Sequence, residues 1–404
     1  MSQLSSLIGV DFEVIQQTVS EILGTQVKEV DFIGKNKHCK IIGIKLLDGV
    51  EVILRLQLKS LPSYVMETEV ATMRYLTTKT TIPVPRILHF NFDHDHPLGV
   101  YMLSEKFEGI KLSTIFSSLS AKEQDFLVKQ IAHWSIELFK HRFDTIGSLY
   151  IKEEHDNLEF IVGPISHPLF YGEDRGNLSL NRGPFHSSRA YFKACQQREL
   201  DYARTQCPQD TSDTYQQNVA DVRLTVERCM SLLGRVIERC RGLDEDDPTF
   251  NEFSLSMAEL DLGGIYVAPD APSLILPTWL THSLSDSEES QSLCRERLTT
   301  IFRKSIQSID GPDSLFLKAL DMEQTRQTID HICDYNAFTD GFLLLPTLES
   351  LIATLPGEED IEGLQELLNP HTLEGRAARI ALLTKGTHPL SLASEGLLDN
   401  IVAY

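Results

Sequence analysis

The stretch EVATMRYLTTKTTIPVPRILHF (69–90), continued by YMLSEKFEGIKLS (101–113), decides the fold of this chain. Its first part extends a helical pattern of apolar residues and predicts a helix over residues 64–79. Pro83 and Pro85 follow that helix and stop it, because proline disfavours helical backbone before it and lacks an amide hydrogen. The segments RILHFNFD and VYMLSEKF then predict two strands, joined by the polar turn DHDHPLG. This part of the chain is therefore expected to be a helix followed by a pair of strands.

The residues before this stretch predict another helix and three more strands. Residues 12–23 place apolar side chains on one helical face, and Gly24 is a plausible end for that helix. Residues 27–58 contain three short runs rich in Val and Ile, and Asp48-Gly49 between the last two is a strong hairpin signal. The first 107 residues are therefore expected to form a five-stranded, mostly antiparallel sheet with one interior helix.

The rest of the chain is predicted to be mainly helical. Residues 121–140 and 216–241 have the spacing of long amphipathic helices. Residues 142–190 are rich in glycine and proline turn signals and are expected to be a long irregular stretch. A strand-like island at 260–280 predicts a hairpin among the helices. We expect two lobes, a β-rich lobe with its leading helix and a larger helical lobe with the central hairpin, over residues 1–106 and 107–404 respectively.

This arrangement and its motifs resemble a known family. A small β lobe followed by a large helical lobe is typical of protein kinases, and EVATMRYL with TIPVPR closely resembles fungal aminoglycoside-phosphotransferase-like proteins. Within them the chain looks most like the branch called altered inheritance of mitochondria, which also has counterparts of IGSLY (146–150) and RGPFHSSRAYFKACQQREL (182–200). The resemblance covers roughly residues 25–285. It implies an α+β, protein-kinase-like two-lobe fold of the aminoglycoside phosphotransferase type.

The resemblance also implies positions for a nucleotide. The strand lysine that grips phosphates in such proteins corresponds to Arg55, and its helix partner corresponds to Glu69, with Glu67 as an alternative. The alternative reading of Arg55 and Glu69 is an ion pair with a structural role alone. Gly34 lies in the segment FIGKNKHCK, which corresponds to the phosphate-covering hairpin. The alternative interpretation of this segment is an exposed basic hairpin tip. Glu105 lies in the predicted hinge, whose backbone groups would face an adenine or another flat ligand.

The segment that should carry catalysis departs from the family pattern. In MAELDLGGIYVAPDAPSLILPTWL (257–280), Glu259 stands at the catalytic aspartate position and Asp261 at the second histidine position. Gly264 replaces the magnesium-binding asparagine, and Thr278 replaces the second magnesium-binding aspartate if the tryptophans align. Magnesium requires well-placed oxygen ligands. The sequence therefore predicts no metal site, and the segment is read either as a degenerate catalytic loop or as packing.

Three functions stay open at this point. The first is a pseudokinase that has lost phosphoryl transfer and binds a ligand or a partner through the cleft between the lobes. The second is a small-molecule phosphotransferase with unusual residues, using Glu259 as base and Arg55 for phosphate. The third is a non-kinase tailoring enzyme of fungal secondary metabolism that reuses the cleft. The cofactor is not identified by the sequence; ATP and Mg²⁺ are required only in the second case.

The amino-acid composition restricts the partners and the cellular location that we expect for this chain. Lys plus Arg number 37 and Asp plus Glu number 58, which gives a formal net charge of −21. Such acidity argues against nucleic acid and anionic membranes as partners and leaves a small-molecule ligand or a protein. The seven cysteines are scattered, which favours reduced thiols, and the first residues lack the features of a presequence. We therefore expect a cytoplasmic protein that does not contact a membrane.

Overall fold

The computed structural model divides into two compact units, residues 1–166 with 252–321 and residues 167–251 with 322–404. The predicted boundary between residues 106 and 107 falls inside the first unit and stays a prediction. The structure describes residues 9–36, 38–106, 118–154, 157–172, 174–206, 214–239, 253–257, 265–269 and 288–321, together with Cys333 and Leu348.

The first unit begins with an antiparallel sheet and two helices, as predicted. The elements in chain order are α1 (Phe12–Leu23), β1 (Val27–Lys35), β2 (Cys39–Leu46), β3 (Glu51–Gln57), α2 (Tyr64–Lys79), β4 (Ile87–Asn91) and β5 (Tyr101–Glu105). The strand order is β1-β2-β3-β5-β4, and every neighbouring pair is antiparallel. Helix α2 has the bounds expected from the sequence.

The two faces of this sheet bury different helices. Ile15 and Val19 of α1 pack in a cluster with the strand residues that include Tyr101 and Leu103. Val100 and Met102, which point the other way along the same segment, pack with Met66 and neighbouring side chains of α2. Because side chains alternate between the faces of a strand, the sheet lies between the two helices. The sheet therefore holds α2 on one fixed face, and this positions the residues discussed below.

The remaining elements are mainly helical. They are α3 (Ala121–Phe139), β6 (Arg142–Phe143), β7 (Ser148–Glu154), β8 (Asn157–Gly163), α4 (Ser188–Gln206), α5 (Thr214–Arg239), β9 (Phe253–Met257), β10 (Ile265–Pro269), α6 (Glu288–Asp310) and α7 (Leu315–Asp321). Helix α3 begins at a capping box, in which the Ser120 side chain and the Glu123 carboxylate each bind the other's backbone amide. The predicted long helices near 121–140 and 216–241 are confirmed.

The expectation of an irregular stretch over residues 142–190 is wrong for residues 142–163 and 188–190. Strands β7 and β8 form an antiparallel hairpin, and helix α4 already begins at Ser188. Gly147 and Gly163, two of the glycines counted as turn signals in this stretch, lie instead at the open end of this hairpin. A Cβ on Gly147 would collide with the carbonyl oxygen of Gly163, so the close approach of the two backbones requires glycine there.

A second hairpin lies near the predicted central one but begins earlier. Strand β10 (265–269) lies inside the predicted island at 260–280, and its partner β9 (253–257) precedes that island. The short strand β6 pairs with the other side of β9, which makes a three-stranded sheet. Residues 258–264 and 270–287 lie outside the described part of the chain.

The second unit contains a buried cluster of charged side chains. Arg175 and Arg198 are each 1% exposed, and both donate to the carboxylate of Glu199, at 3.0 and 2.7 Å respectively. The guanidinium of Arg182 donates to the carbonyl oxygens of Phe170 and Arg175. A buried carboxylate that accepts two guanidinium groups is a structural ion network, because removing one partner leaves a buried charge unpaired.

The described residues form an α+β structure with an antiparallel β lobe and a mainly helical remainder, which confirms the predicted fold class. The ion pair between strand β3 and helix α2, which the resemblance implies, is described below. Within the described ranges, no helix is both long and apolar enough to cross a membrane.

Candidate functional site

Arg55 and Glu69 form the ion pair expected of the β lobe. Arg55 lies in the middle of β3, opposite Ile41 of β2, and Glu69 lies on α2, the next helix along the chain. The Arg55 Nη1 group donates to Glu69 Oε1, and the two side chains are 24% and 11% exposed. Glu67 instead accepts from the Ser63 hydroxyl at 2.9 Å. Glu69, rather than Glu67, is therefore the partner of Arg55.

A buried thiol lies next to this ion pair. Cys39, at the start of β2, is 1% exposed and packs with Met66 and Val70 of α2. Burial raises the pKa of the Cys39 thiol to about 11; the charge of Arg55 opposes this rise and that of Glu69 adds to it. At neutral pH the thiol therefore stays protonated, and Cys39 acts in packing rather than as a nucleophile.

The β1–β2 hairpin, which contains Gly34, is closed by an asparagine side chain. The Asn36 Oδ1 atom accepts from the backbone amides of His38 and Cys39, at 2.9 and 2.7 Å. Gly34 lies in β1 opposite Ile41, and a Cβ built on it meets nothing within 4 Å. The backbone amides of His38 and Cys39, which a phosphate-covering turn would direct at a ligand, are thus already donated to Asn36. Among the described residues, none approaches Gly34 closely enough to require glycine there.

The predicted hinge residues take part in the sheet. The amide of Glu105 donates to the carbonyl of Arg86 at 3.0 Å, and the amide of Lys106 donates to the carbonyl of Glu51 at 3.4 Å. The Glu105 carboxylate accepts from the Arg86 guanidinium at 2.8 and 2.9 Å in a well-exposed ion pair. The Glu105 side chain, at the end of β5, is therefore an exposed ion-pair partner, and residues 107–117 lie outside the described part.

The candidate catalytic residues Glu259 and Asp261 lie outside the described residues, as does Gly264. The structure does describe both ends of their segment. Met257, the last residue of β9, pairs with Ile265, the first residue of β10. Met257 and Ile265, the described residues on either side of 258–264, therefore form a cross-strand pair.

The positions that correspond to the magnesium ligands of the family pattern, Gly264 and Thr278, lie outside the described residues. In the described ranges, no group of three or more His, Cys, Asp or Glu side chains is placed to hold a metal ion. Of the implied phosphate contacts, Arg55 supplies a cation that is already bound to Glu69, and the turn amides at residues 38 and 39 are bound to Asn36.

Comparison with known proteins finds fungal relatives. No protein-family profile matches the chain. A subtelomeric hrmA-associated cluster protein of Aspergillus fumigatus is 32% identical over 155 residues, which cover 36% of this chain and 30% of that protein. The Altered inheritance of mitochondria protein 9 of Meyerozyma guilliermondii is 26% identical over 148 residues, covering 35% and 24%. Its counterpart in Candida dubliniensis is 25% identical over 252 residues, covering 58% and 38%.

Comparison with solved structures finds kinase-like folds. A thermostable mutant of an aminoglycoside phosphotransferase, in complex with AMP-PNP and hygromycin B, has a TM-score of 0.46 at 13% identity, covering 85% of this chain and 99% of that chain. A putative fructosamine-3-kinase from Thermobifida fusca has a TM-score of 0.42 at 12% identity, covering 84% and 98%.

The cytoplasmic location expected from the sequence is wrong in the light of these relatives. The proteins from Meyerozyma guilliermondii, Debaryomyces hansenii and Candida tropicalis are named as mitochondrial. The expectation rested on the first residues of the chain and on scattered cysteines, and neither observation reports on the compartment directly.

The resemblance stated from the motifs is confirmed by the sequence relatives. The matched region spans 30% of the length of the first Aspergillus fumigatus relative and 24% of the first mitochondrial one, so the likeness concerns a part of those proteins. Over that part, this chain is similar to the fungal proteins named Altered inheritance of mitochondria protein 9 and to hrmA-associated cluster proteins.

Proposed function

We propose that this protein has lost phosphoryl transfer and uses the kinase-like fold to bind a small-molecule ligand or a protein partner. The observation that carries the proposal is the closed β1–β2 turn. Its amides at His38 and Cys39 donate to the Asn36 side chain, whereas a phosphate-binding turn leaves such donors for the ligand. These two amides can therefore bind a nucleotide phosphate only if their hydrogen bonds to Asn36 break.

The residues at the other phosphate positions support the same proposal. Arg55 keeps a positive charge but has a planar fork in place of a compact ammonium, and this exchange is not conservative at a tight site. Gly264 stands where the family pattern has an asparagine for magnesium, and Thr278 stands where it has an aspartate if the tryptophans align, or Leu280 if no gap is made. Without those oxygen ligands, the charge of a triphosphate is poorly neutralised.

The net charge bounds the class of partner. With a formal charge of −21, the chain attracts cations and repels polyanions. The proposed ligands are therefore a neutral or cationic small molecule or a protein with a basic surface, rather than nucleic acid or an anionic membrane. The binding region proposed is the one that contains Arg55, Glu69 and the segment of Glu259 and Asp261, with Gly34 and Glu105 at its predicted margins.

A thermal-shift titration with ATP tests the proposal. The wild type and a Gly264→Asn/Thr278→Asp variant are titrated with ATP, with magnesium and with EDTA as control. A ligand at about 100 times its dissociation constant stabilises a protein by roughly 2.7 kcal/mol. We expect no shift for the wild type at millimolar ATP. A magnesium-dependent shift of the wild type would contradict the closed β1–β2 turn as the observation that carries the proposal and would favour the phosphotransferase candidate. A shift of the variant alone supports the proposal.

A working small-molecule phosphotransferase is the second candidate, and one observation favours it. The Arg55–Glu69 ion pair retains the strand-to-helix link that such enzymes use to hold phosphates. In this case Glu259 would act as the base. Magnesium-dependent phosphoryl transfer that is lost in a Glu259→Gln variant would decide for this candidate. The tailoring-enzyme alternative stays a prediction from the sequence.

A further inference from the structure

Strand β8 forms one edge of the β7–β8 hairpin, and its outer side is open. The two strands pair in continuous register over seven residue pairs. In the described part of the chain this sheet contains only these two strands, so β8 has no second neighbour there. Leu158 and Ile161 of β8 are 38% and 40% exposed, whereas Ser148 and Leu149 of β7 are buried. The exposed edge of the hairpin is therefore that of β8.

The backbone groups of three residues point out of this edge. A Cβ on Gly147 would lie 2.1 Å from the carbonyl oxygen of Gly163, so that carbonyl points towards β7. Because successive residues of a strand direct their amides and carbonyls to opposite sides, those of Leu158, Phe160 and Val162 point away from β7. No described residue is hydrogen-bonded to them on that side. The edge therefore offers both donors and acceptors to a further strand.

The two edges of the five-stranded sheet are built differently. Strands β1 and β4, which are its outermost strands, each contain a register shift where they pair with their neighbours. Such bulges twist an edge and discourage a further strand from pairing with it. Strand β8 has no register shift, and residues 157–163 contain no proline. Of these three strands, β8 is the one whose edge is suited to accept another strand.

The charge of the hairpin indicates which kind of strand fits. Residues 152–159 contain four acidic side chains and one lysine, and Glu159 is exposed. Pairing β8 with the β8 of a second copy would bring two acidic segments together, in a chain whose formal charge is −21. A basic strand instead places Lys or Arg beside Glu159, and opposite charges on neighbouring strands attract each other. The charge therefore favours a basic partner over a second copy.

The alternation of side chains along β8 adds a second requirement. Leu158, Phe160 and Val162 share the face that packs towards α2, where the Phe160 ring meets a tyrosine of that helix at 5.1 Å between centroids. Glu159 and Ile161 share the other face. A strand added beside β8 therefore meets apolar side chains on one face and a carboxylate on the other. It fits best if apolar and basic residues alternate along it.

We propose that β8 is a docking edge for an extended, basic segment of a partner protein, which adds to the β7–β8 hairpin as a third strand. Its backbone pairs with the outward amides and carbonyls of β8, and its apolar side chains lie beside Leu158 and Val162. Its Lys or Arg side chains lie beside Glu159. This edge includes none of the residues of the binding region proposed above, so the proposal goes beyond that function and does not depend on it.

Peptide binding to the whole chain tests this proposal. The basic probe is a fluorescein-labelled, C-terminally amidated peptide, Lys-Val-Lys-Ile-Lys-Val-Lys, and its binding is followed by fluorescence anisotropy. One control peptide has Glu at each Lys position. The other is the basic probe N-methylated at every backbone amide, which keeps the charge but cannot donate backbone hydrogen bonds. Hydrogen exchange of residues 157–163, measured by mass spectrometry with and without the basic probe, locates the contact.

Three variants separate backbone pairing from charge. Leu158→Pro removes an outward amide and leaves the pairing with β7, because proline is tolerated where the amide of an edge strand faces away from its neighbour. Glu159→Lys reverses the charge beside the edge. Glu29→Lys is the matched control, because Glu29 is an exposed residue of β1 and the change in net charge is the same. Circular dichroism establishes that each variant is folded.

We expect the basic probe to bind the wild type and to slow the exchange of residues 157–163, and each control peptide to bind about tenfold more weakly. Leu158→Pro should weaken binding of the basic probe by about tenfold and Glu159→Lys by about three- to tenfold, whereas Glu29→Lys should stay within about twofold.

Four results would overturn the proposal. They are no binding at about millimolar probe, a range in which even weak complexes form, equal binding of the N-methylated peptide, unchanged exchange of residues 157–163, and equal effects of Glu159→Lys and Glu29→Lys. Wild-type binding by a folded Leu158→Pro variant would also contradict it. If Leu158→Pro does not fold, the two charge variants and the exchange measurement still decide.

Discussion

At the scale of single residues, position 55 links the strand and the helix of the β lobe. Arg55 and Glu69 are mostly buried, and their ion pair offsets part of the cost of burying the two charges. Truncating Arg55→Ala leaves the Glu69 carboxylate without this partner in a poorly hydrated place. We expect the free energy of unfolding to fall by about 1–3 kcal/mol. Urea denaturation, followed by circular dichroism, measures this change.

The matched control for Arg55→Ala is Arg86→Ala. Arg86 also pairs with a carboxylate, that of Glu105, but the two side chains are 69% and 45% exposed. Exposed ion pairs contribute about 0–1 kcal/mol, so this variant should change the urea midpoint little. Equal losses in the two variants would contradict the view that burial makes the Arg55–Glu69 pair important.

At the scale of elements, the β1–β2 hairpin depends on Asn36. Replacing Asn36→Ala removes the acceptor of two backbone amides, which lowers the free energy of unfolding by about 1 kcal/mol. It also frees those amides, so we expect measurable binding of inorganic triphosphate where the wild type shows none. Thermal shift and calorimetry with triphosphate provide both readings.

Asn91→Ala is the control for Asn36→Ala. The Asn91 amide donates to the carbonyl oxygens of Asp93 and Gly99 in the β4–β5 connection, so its loss weakens another turn without freeing the amides of residues 38 and 39. It should destabilise the protein similarly and bind no triphosphate. Binding by both variants, or by neither, would argue against the turn amides as the missing phosphate contacts.

Two glycines of the hairpins should respond differently to alanine. A Cβ on Gly147 collides with the backbone of Gly163, so Gly147→Ala has to open the base of the β7–β8 hairpin. Gly34 has open space, and alanine is tolerated better than glycine in a strand. We expect Gly147→Ala to lower the melting temperature by several degrees, roughly the effect of 1–3 kcal/mol, and Gly34→Ala to leave it nearly unchanged. The reverse order of the two melting temperatures would contradict the structure.

The sequence predicted some elements well because their signals are local. The bounds of α2 follow from helical spacing and from the prolines that come after it, and the β2–β3 turn follows from Asp48-Gly49, whose glycine has φ of +90°. The β7–β8 hairpin was missed because Gly147 serves a close backbone approach, which has the same appearance in sequence as a turn. Pattern alone does not distinguish these two uses of glycine.

The residues of the candidate site, likewise, could be predicted from the sequence only in part. The resemblance indicated Arg55 and Glu69, and the structure pairs them. The hydrogen bonds that the turn amides donate to the Asn36 side chain were not predicted, because they depend on the side-chain rotamer rather than on residue type.

At the scale of the whole molecule, titration predicts loss of stability in acid. The pKa values of His89 and His141 are lowered, mainly by burial, so the unfolded chain takes up protons first as the pH falls. Their contribution is complete above the unfolded histidine pKa of about 6.5 and decreases as the pH falls through the interval below it.

Carboxylates extend this loss to lower pH. The pKa values of Glu51, Glu123 and Glu238 are lowered. The chief cause is a hydrogen bond from Lys106 to Glu51, from Ser120 to Glu123 and from Lys193 to Glu238. The stability they contribute is present above their unfolded pKa of about 4.5 and is lost as the pH falls through the folded values. We expect the melting temperature to be level near neutrality and to fall below about pH 6.5, then further below about pH 4.5. A melting temperature that rises on acidification from pH 7 to pH 5 would contradict these assignments.

The most direct test of the central claim is an assay of phosphoryl transfer. The purified protein is incubated with γ-labelled ATP and magnesium, alone and with a panel of hydroxylated amines, beside a Glu259→Gln variant and a protein-free blank. The account predicts that label release and transfer by the wild type equal those of the variant and of the blank. Magnesium-dependent turnover by the wild type that the Glu259→Gln variant lacks would contradict the loss of phosphoryl transfer.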